Sequence, residues 1–314
     1  MPVTSAYLAV IVIWSTTPLA IKWSGEDVGF LFGVAARMVI GLALVWLLVA
    51  VSGTPVPRDR ASRATYGAAG GGIYVAMLLV YWSAQLIPSG WISVLFGMTP
   101  IFTGAFASIW LGEDAFAPLK VLGMALGTAG LLLIFYTGLE ASPGAAAGVG
   151  GVLAAALVHS LSSVWVKRIG ARLHGLAVTA GSLTLAVPLF VATWLLLDGR
   201  WPQVTPARSI AAILYLGVFG SAIGFALYYY VLRQVAATRV AVVTLVTPVS
   251  ALMLGSLLNR EPIGVRVWAG TALILAGLLS FQLDLLSLRR ARLSAGRSGR
   301  APPSPSGTGR RPAE

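Results

Sequence analysis

The sequence predicts an all-α integral membrane protein, with ten transmembrane helices arranged as two inverted five-helix repeats. Three observations lead there: scarce charge, apolar blocks the length of a bilayer crossing, and a chain that resembles itself at an offset near 148 residues. Of the 314 residues, 57% are hydrophobic and 10% are charged. An average soluble domain carries about 25% charged residues, so this chain has too few to cover a soluble surface. The apolar blocks run to about twenty residues, enough for a helix to cross a hydrocarbon core of about 30 Å. Backbone facing lipid must satisfy its own hydrogen bonds, which restricts spanning elements to helices and closed barrels. A barrel alternates apolar and polar residues over segments of about ten. These blocks are apolar on all sides, so helices follow.

The spans read Thr4–Ile21, Phe30–Val51, Tyr66–Ile87, Ser89–Leu111, Leu119–Thr137, Ala145–Val166, Leu176–Leu197, Ser209–Leu232, Val240–Leu258 and Val267–Leu283. Little more than Pro88-Ser89 separates the third from the fourth, and Arg233–Arg239 joins the eighth to the ninth. Joins this short make each pair antiparallel neighbours. No Lys or Arg precedes the first apolar run, so it reads as a retained span rather than a cleaved signal. Residues 284–314 change to Arg, Pro, Ser and Gly, the composition of a disordered basic tail.

Loop charge sets the orientation. One side holds Arg58, Arg60, Arg63, Lys120, Lys167, Arg168, Arg172, Arg233, Arg239 and seven tail arginines, sixteen in all. The other holds Lys22, Arg200, Arg208, Arg260 and Arg266, which is five. Cytoplasmic loops carry the excess of Lys and Arg, so both termini are predicted to be cytoplasmic. The same distribution accounts for the net charge of +12 without a nucleic-acid partner. The chain has no cysteine and two histidines, His159 and His174. Disulfides and thiolate chemistry are excluded, no metal site is expected, and no motif calls for a cofactor.

The internal repeat carries the argument about function. Ser93–Glu113 aligns with Ala241–Glu261, placing Thr99-Pro100 on Thr247-Pro248 and Glu113 on Glu261. Tyr81 falls on Tyr229 at the same offset. Ser15, Lys22 and Gly25 fall on Ser160, Lys167 and Gly170 at offset 145. Residues 1–138 and 145–283 are therefore read as two repeats. Five spans per half is an odd number, so the second half enters the membrane upside down. Inverted repeats around a central site are the construction of alternating-access transporters, which makes a small-molecule carrier the leading reading. The competing readings are a membrane-embedded enzyme and a non-transporting scaffold. No H-E-x-x-H, P-loop or acidic pair within a span supports an enzyme.

The motifs resemble the EamA family of the drug/metabolite transporter superfamily. Trp14-Ser15-Thr16-Thr17-Pro18 through Lys22 is similar to the family's aromatic and small-polar entry ending in Lys. Ala36-Arg37 resembles its second-span arginine motif. Thr99-Pro100 through Leu111-Gly112-Glu113 resembles its proline-containing helix, and Thr247-Pro248 through Arg260-Glu261 repeats it with Asn259-Arg260 in place of Leu-Gly. The resemblance implies a cell-membrane carrier, often an exporter of amino acids, other metabolites or drugs. It also implies a cavity lined by the first, third, fourth, sixth, eighth and ninth spans.

Eight residues stand out as site candidates. Arg37 lies about seven residues inside the second span, where insertion of an arginine costs roughly 2.5–3.5 kcal/mol. It either links structurally to carbonyls and the outer surface or forms a fork for a substrate carboxylate or phosphate. His159 is the most central titratable side chain, and reads either as helix packing or as a proton carrier. Trp14, Tyr81, Gln85 and Tyr229 are deep or repeated aromatic and polar residues, candidates for core packing or for substrate contact. Pro100 and Pro248 fall mid-span, where each should kink its helix and weaken the bond to Phe96 or Thr244. They are candidate hinges. Glu261 is expected to anchor a loop, for example with Arg266. Gly123-x-x-x-Gly127 suits close helix contact, either within one chain or at the seam of a homodimer.

Overall fold

The computed structural model describes residues 2–112, 118–141, 143–235, 243–277 and 279–280. Glu113, Arg239, Val240, Leu278 and the tail 284–314 lie outside the described residues. Among the described residues every regular element is a helix. They are α1 Val3–Gly25, α2 Phe30–Ser52, α3 Arg60–Ser83, α4 Ser89–Phe96, α5 Thr99–Leu111, α6 Pro118–Ala141, α7 Pro143–Ile169 and α8 Gly175–Leu197. There follow α9 Ala207–Tyr215, a π-helical segment Leu216–Ile223, α10 Gly224–Gln234, α11 Val243–Asn259 and α12 Val265–Gly277. Seven stretches are long and apolar enough to cross a membrane: α1, α2, α3, α4 with α5, α7, α8, and α9 through α10. Shorter apolar stretches are Val121–Ile134 within α6, and α12.

The outer surface is hydrocarbon. Val51, Ile109, Leu196 and Leu257 are largely exposed, an arrangement that lipid solvates and water does not. Hydroxyls inside the bundle turn back onto their own helices. Ser15 donates to the Ile11 carbonyl at 2.9 Å, Thr17 to Ile13 at 2.7 Å and Ser182 to Val178 at 2.6 Å. Each donor is thereby satisfied where no water can reach it.

Small residues set how closely the helices approach. A Cβ on Gly41 would lie 2.7 Å from the Ser221 Cβ, and one on Gly217 would lie 2.6 Å from the Ile40 side chain. Glycine at both positions brings α2 against the π-helical segment. On the other flank, a Cβ on Gly277 would sit 2.5 Å from the Gly123 carbonyl oxygen and 2.9 Å from the Gly127 nitrogen. The Gly123/Gly127 face is therefore occupied by α12 of the same chain. At the centre, α1 packs against α2, α4, α9, α10, α11 and the π-helical segment. Around it α3 lies against α7 and α8, and α4 against α11.

The two mid-span prolines take different forms. Instead of kinking one helix, the fourth span breaks at Gly97-Met98 into α4 and α5, with Pro100 in the first turn of α5. Proline offers no N–H to the carbonyl four residues earlier; here the Thr99 hydroxyl donates to that Phe96 carbonyl at 2.6 Å. The repaired acceptor lets the break persist inside the bundle. Pro248 stays within a continuous α11. Pro18 and Pro188 also lie inside helices, α1 and α8, where composition alone drew no attention to them. The eighth span is not a single α-helix either: its middle two turns are π-helical, which no hydropathy pattern encodes.

Charged side chains tie the helix ends. The Lys22 ammonium donates to the Ile87 carbonyl at 3.2 Å, and Lys167 donates to Leu232 at 2.7 Å and Val235 at 2.6 Å. Glu261 is 8% exposed and anchors differently from the expected Arg266 arrangement. Its carboxylate accepts from Ser89 Oγ at 2.9 Å and Gly90 N at 3.3 Å in the first turn of α4, and from Asn259 Nδ2 at 2.9 Å. Lys22 stands 3.8 Å away. A carboxylate belongs at a helix start because the unpaired N–H groups there point outward.

Asp59 does the same for α3, accepting from Ala61 N at 3.0 Å, Ser62 N at 3.1 Å and the Ser62 hydroxyl. These hydrogen bonds, the Ser62 hydroxyl first, hold its carboxyl below the ordinary carboxylate range. A depressed folded-state pKa contributes stability that is present above the unfolded value and is lost as pH falls through the folded value. Asp59→Asn keeps the cap without the titration. Thermal unfolding of purified protein should show wild type above this variant at neutral pH, with the gap closing on acidification below the usual carboxylate pKa. A gap independent of pH would contradict the assignment.

Candidate functional site

A cavity of about 80 Å³ lies within the bundle. Trp14, Thr17, Pro18 and Ile21 of α1 form one wall, and Arg37 enters from α2. Met77 and Val80 of α3 and Ile92, Ser93 and Phe96 of α4 face them, with His159 from α7. Gly220 of the π-helical segment, Phe225 of α10 and Thr247 of α11 complete the lining. Apolar side chains dominate, a few hydroxyls interrupt them, and Arg37 is the one formally charged side chain among these residues.

Arg37 is 1% exposed. Its Nε donates to Ser221 Oγ at 3.1 Å, and its guanidinium carbon stands 5.8 Å from the centre of the Tyr81 ring. Gly220 makes room for it: a Cβ there would be 3.0 Å from Arg37 Nη2. Nη1 is buried with no hydrogen-bond partner among the described residues. A buried polar group without a partner costs about 1–3 kcal/mol, and more when charged. The guanidinium therefore has a planar fork on which the N–H groups of Nη1 remain unused, the arrangement that accepts a carboxylate or phosphate oxygen. The π-helical segment presents both contacts, because Gly220 and Ser221 lie within it. Short π-helical insertions often mark functional positions.

His159 sits in a cluster of rings. Trp14 meets it edge-on at 5.8 Å between centroids, Tyr228 at 5.3 Å and Phe96 at 6.1 Å. Trp14 and Tyr228 stack at 5.2 Å. The Tyr228 hydroxyl bonds with Ser163 Oγ at 2.6 Å, and Ser163 donates to the His159 carbonyl at 2.7 Å. The ring cluster is thus locked to α7 through one serine. Trp14, Phe96 and His159 from this cluster give the cavity an aromatic wall that can take an apolar substrate body.

Of the residues singled out from sequence, Trp14, Arg37 and His159 meet at this cavity. Tyr81 lies behind Arg37, fully buried, with its hydroxyl 2.9 Å from Ser24 Oγ. Gln85 lies at the exposed corner after α3, where its Nε2 donates to the Tyr81 carbonyl at 3.2 Å. Tyr229 packs edge-on against Tyr228 at 5.3 Å and borders a separate pocket. Pro100 and Pro248 are not among the lining residues, although Thr247 beside Pro248 is. Sequence reasoning passed over Thr17, Ser93, Thr247 and Ser221. Ser221 left one trace: it lies among the small residues Gly217, Gly220, Ala222 and Gly224 in the middle of its span.

Comparison with known proteins agrees with this architecture. The model of the EamA-like transporter family matches residues 3–136 and again 146–281. The chain is 29% identical to the "Uncharacterized transporter YvbV" of Bacillus subtilis over 61% of this chain and 62% of that protein. It is 29% identical to the "Probable terminal-alkyne amino-acid exporter" of Streptantibioticus cattleyicolor over 91% of this chain and 98% of that one. It is 26% identical to the "Uncharacterized inner membrane transporter YedA" of Escherichia coli K12, over 92% and 91% respectively. A solved crystal structure of a protein shares the fold with a TM-score of 0.68, covering 90% of this chain and 97% of that one at 21% identity. The apolar helices and the twice-matched family model make the chain a multi-pass membrane protein of the EamA-like transporter family.

Proposed function

We propose that the chain is a secondary transporter that exports or exchanges a small metabolite bearing a carboxylate, such as an amino acid or related compound, by alternating access. The observation that carries this reading is the unpartnered Nη1 of Arg37 at a mostly apolar cavity. An anionic group of the substrate completes the fork, and its apolar body rests on Trp14 and Phe96. The amino-acid exporter among the relatives agrees with a substrate of this size and charge. The partners in this reading are the substrate and the lipid bilayer.

The ten-span, inverted organisation belongs to the same proposal, with α6, α11 and α12 adding three crossings to the seven. Its support is reciprocal geometry. Lys22 and Ile87 are 65 residues apart, as are Lys167 and Leu232, and each lysine donates to the corresponding carbonyl. Trp14 and His159 hold equivalent positions 145 residues apart and touch, as residues beside a two-fold axis must. The first span packs on the eighth, and the sixth on the third. Repeats 1–138 and 145–283 would rock about this axis in an inner membrane, with both termini cytoplasmic.

Arg37→Lys keeps the charge but loses the planar fork, and Ser221→Ala removes the hydroxyl that receives its Nε. Loss of one hydrogen bond to a charged group corresponds to about 1.5–3 kcal/mol, or roughly a 10–100-fold rise in KM. Proteoliposomes screened with amino acids and simple carboxylates, with and without a pH gradient, supply the assay. A transported carboxylate handled equally well by both correctly inserted variants would sink the fork.

Alternating access is tested by cysteine labelling, since the chain has no cysteine background. Phe96→Cys should react with an impermeant thiol reagent from each side of the membrane in turn, with substrate shifting the balance. The shift can be no larger than the substrate's differential affinity for the two states. Labelling from neither side would make position 96 a packing feature, and simultaneous access from both sides would indicate a channel. Orientation is read separately: a reporter active only outside the cytoplasm, fused after Glu314, should stay silent, and strong activity would reverse the topology.

A further inference from the structure

A second pocket, of about 170 Å³, opens where the ends of α7, α8 and α10 meet. Three cationic side chains, Lys167, Arg172 and Arg233, line it, and among the described residues no carboxylate does. Two of the three are partly committed. Lys167 donates to the Leu232 and Val235 carbonyls, and Arg233 Nη1 donates to the Leu173 carbonyl at 3.2 Å. Arg172 is exposed. A neighbouring, shallower pocket shares Arg172 and Arg233 and adds His174. Basic residues at a membrane surface ordinarily spread along the headgroup layer; here they converge on one concavity.

The wall of this pocket includes Tyr229. Tyr229 meets Tyr228 edge-on at 5.3 Å, and Tyr228 stacks at 5.2 Å on Trp14, which lines the central cavity. A series of three rings therefore stands between the basic pocket and the cavity that holds Arg37. Tyr228 is anchored to α7 by Ser163, whereas Tyr229 lies on the basic side.

We propose that this basic pocket is an antechamber, a second binding site for the carboxylate or phosphate group of the substrate, occupied before the tyrosine partition opens toward Arg37. The proposal rests on Arg37 being an anion site, and extends it to a path of two cationic stations in series. A cleft lined by one sign of charge between low-dielectric walls concentrates the opposite ion. An anionic lipid headgroup offers the same chemistry to a basic pocket between helices, so the test separates the two sources.

The full chain carrying Ala171→Cys, a pocket-lining position, is reconstituted in phosphatidylcholine vesicles and labelled with the neutral, permeant reagent N-ethylmaleimide. Benzoate and inorganic phosphate serve as probes. At about ten times its dissociation constant, a bound probe cuts labelling roughly tenfold. Benzoate is expected to protect, and trimethylphenylammonium, a cation of similar size, is not. Arg172→Gln at its exposed position should weaken protection, and adding Arg233→Gln should abolish it. Equal protection by the cation, or none by either anion, overturns the proposal. Protection that appears only when phosphatidylglycerol is added to the vesicles overturns it in favour of a lipid site. Arg37→Lys keeps the two ideas apart: protection at position 171 should survive it even if transport does not. Intact protection with no carboxylate transported would count against the proposed function, leaving an anion site at the pocket and overturning its role as an antechamber.

Discussion

A guanidinium with 1% exposure inside a bundle coated in hydrocarbon is the constraint on which the rest of the site depends. Arg37 is almost wholly withdrawn from bulk water, so protein groups must hold it. Tyr81 offers the face of its ring and Ser221 an oxygen, and Ser221 reaches that place because the π-helical segment lies against α2. The approach in turn requires Gly41 and Gly217, since a Cβ at either would collide with the opposing segment. Four residues from two distant parts of the chain thus exist in this form to keep one charge in place. They leave its Nη1 without a partner among the described residues.

The membrane as solvent explains the surrounding detail. A missing hydrogen bond inside lipid costs several kcal/mol, and several irregularities are repaired locally. Thr99 supplies the donor that Pro100 lacks, and serine and threonine hydroxyls fold back on their own carbonyls. At the joints between helices, Lys22 and Lys167 hold carbonyls that no helix can satisfy. Glu261 caps α4 beside Lys22, so the ends of α1, α4 and α11 share a single polar knot. These ties lie at the ends of the bundle, while its middle holds rings and small residues.

Much of this was legible before any coordinates. Apolar blocks foretold membrane helices because length and hydropathy are properties of a segment taken alone. The depth of Arg37 and the central position of His159 marked two walls of the cavity for the same reason. Three features escaped. Tyr81, Gln85 and Tyr229 looked equivalent to Trp14 in depth, yet rotation about each helix axis places them behind Arg37, at a corner and in another pocket. Ser221 carried no signal beyond its small neighbours. The break at Gly97-Met98 reads in sequence as a kink, because nothing local reveals that Thr99 will cap the freed carbonyl.

What the sequence determined by itself was the solvent, the helical class, the family and the presence of one deep charge. Each follows from composition, or from motifs whose meaning does not depend on a partner. Only the tertiary structure decided which residues share the cavity, that Ser221 holds Arg37, that α12 covers the Gly123/Gly127 face and that α9 and α10 are joined through π-helical turns. Those facts depend on close approach between segments more than a hundred residues apart. Hydropathy constrains which side of a helix faces lipid only weakly when every side is apolar, so inter-helix packing made the choice.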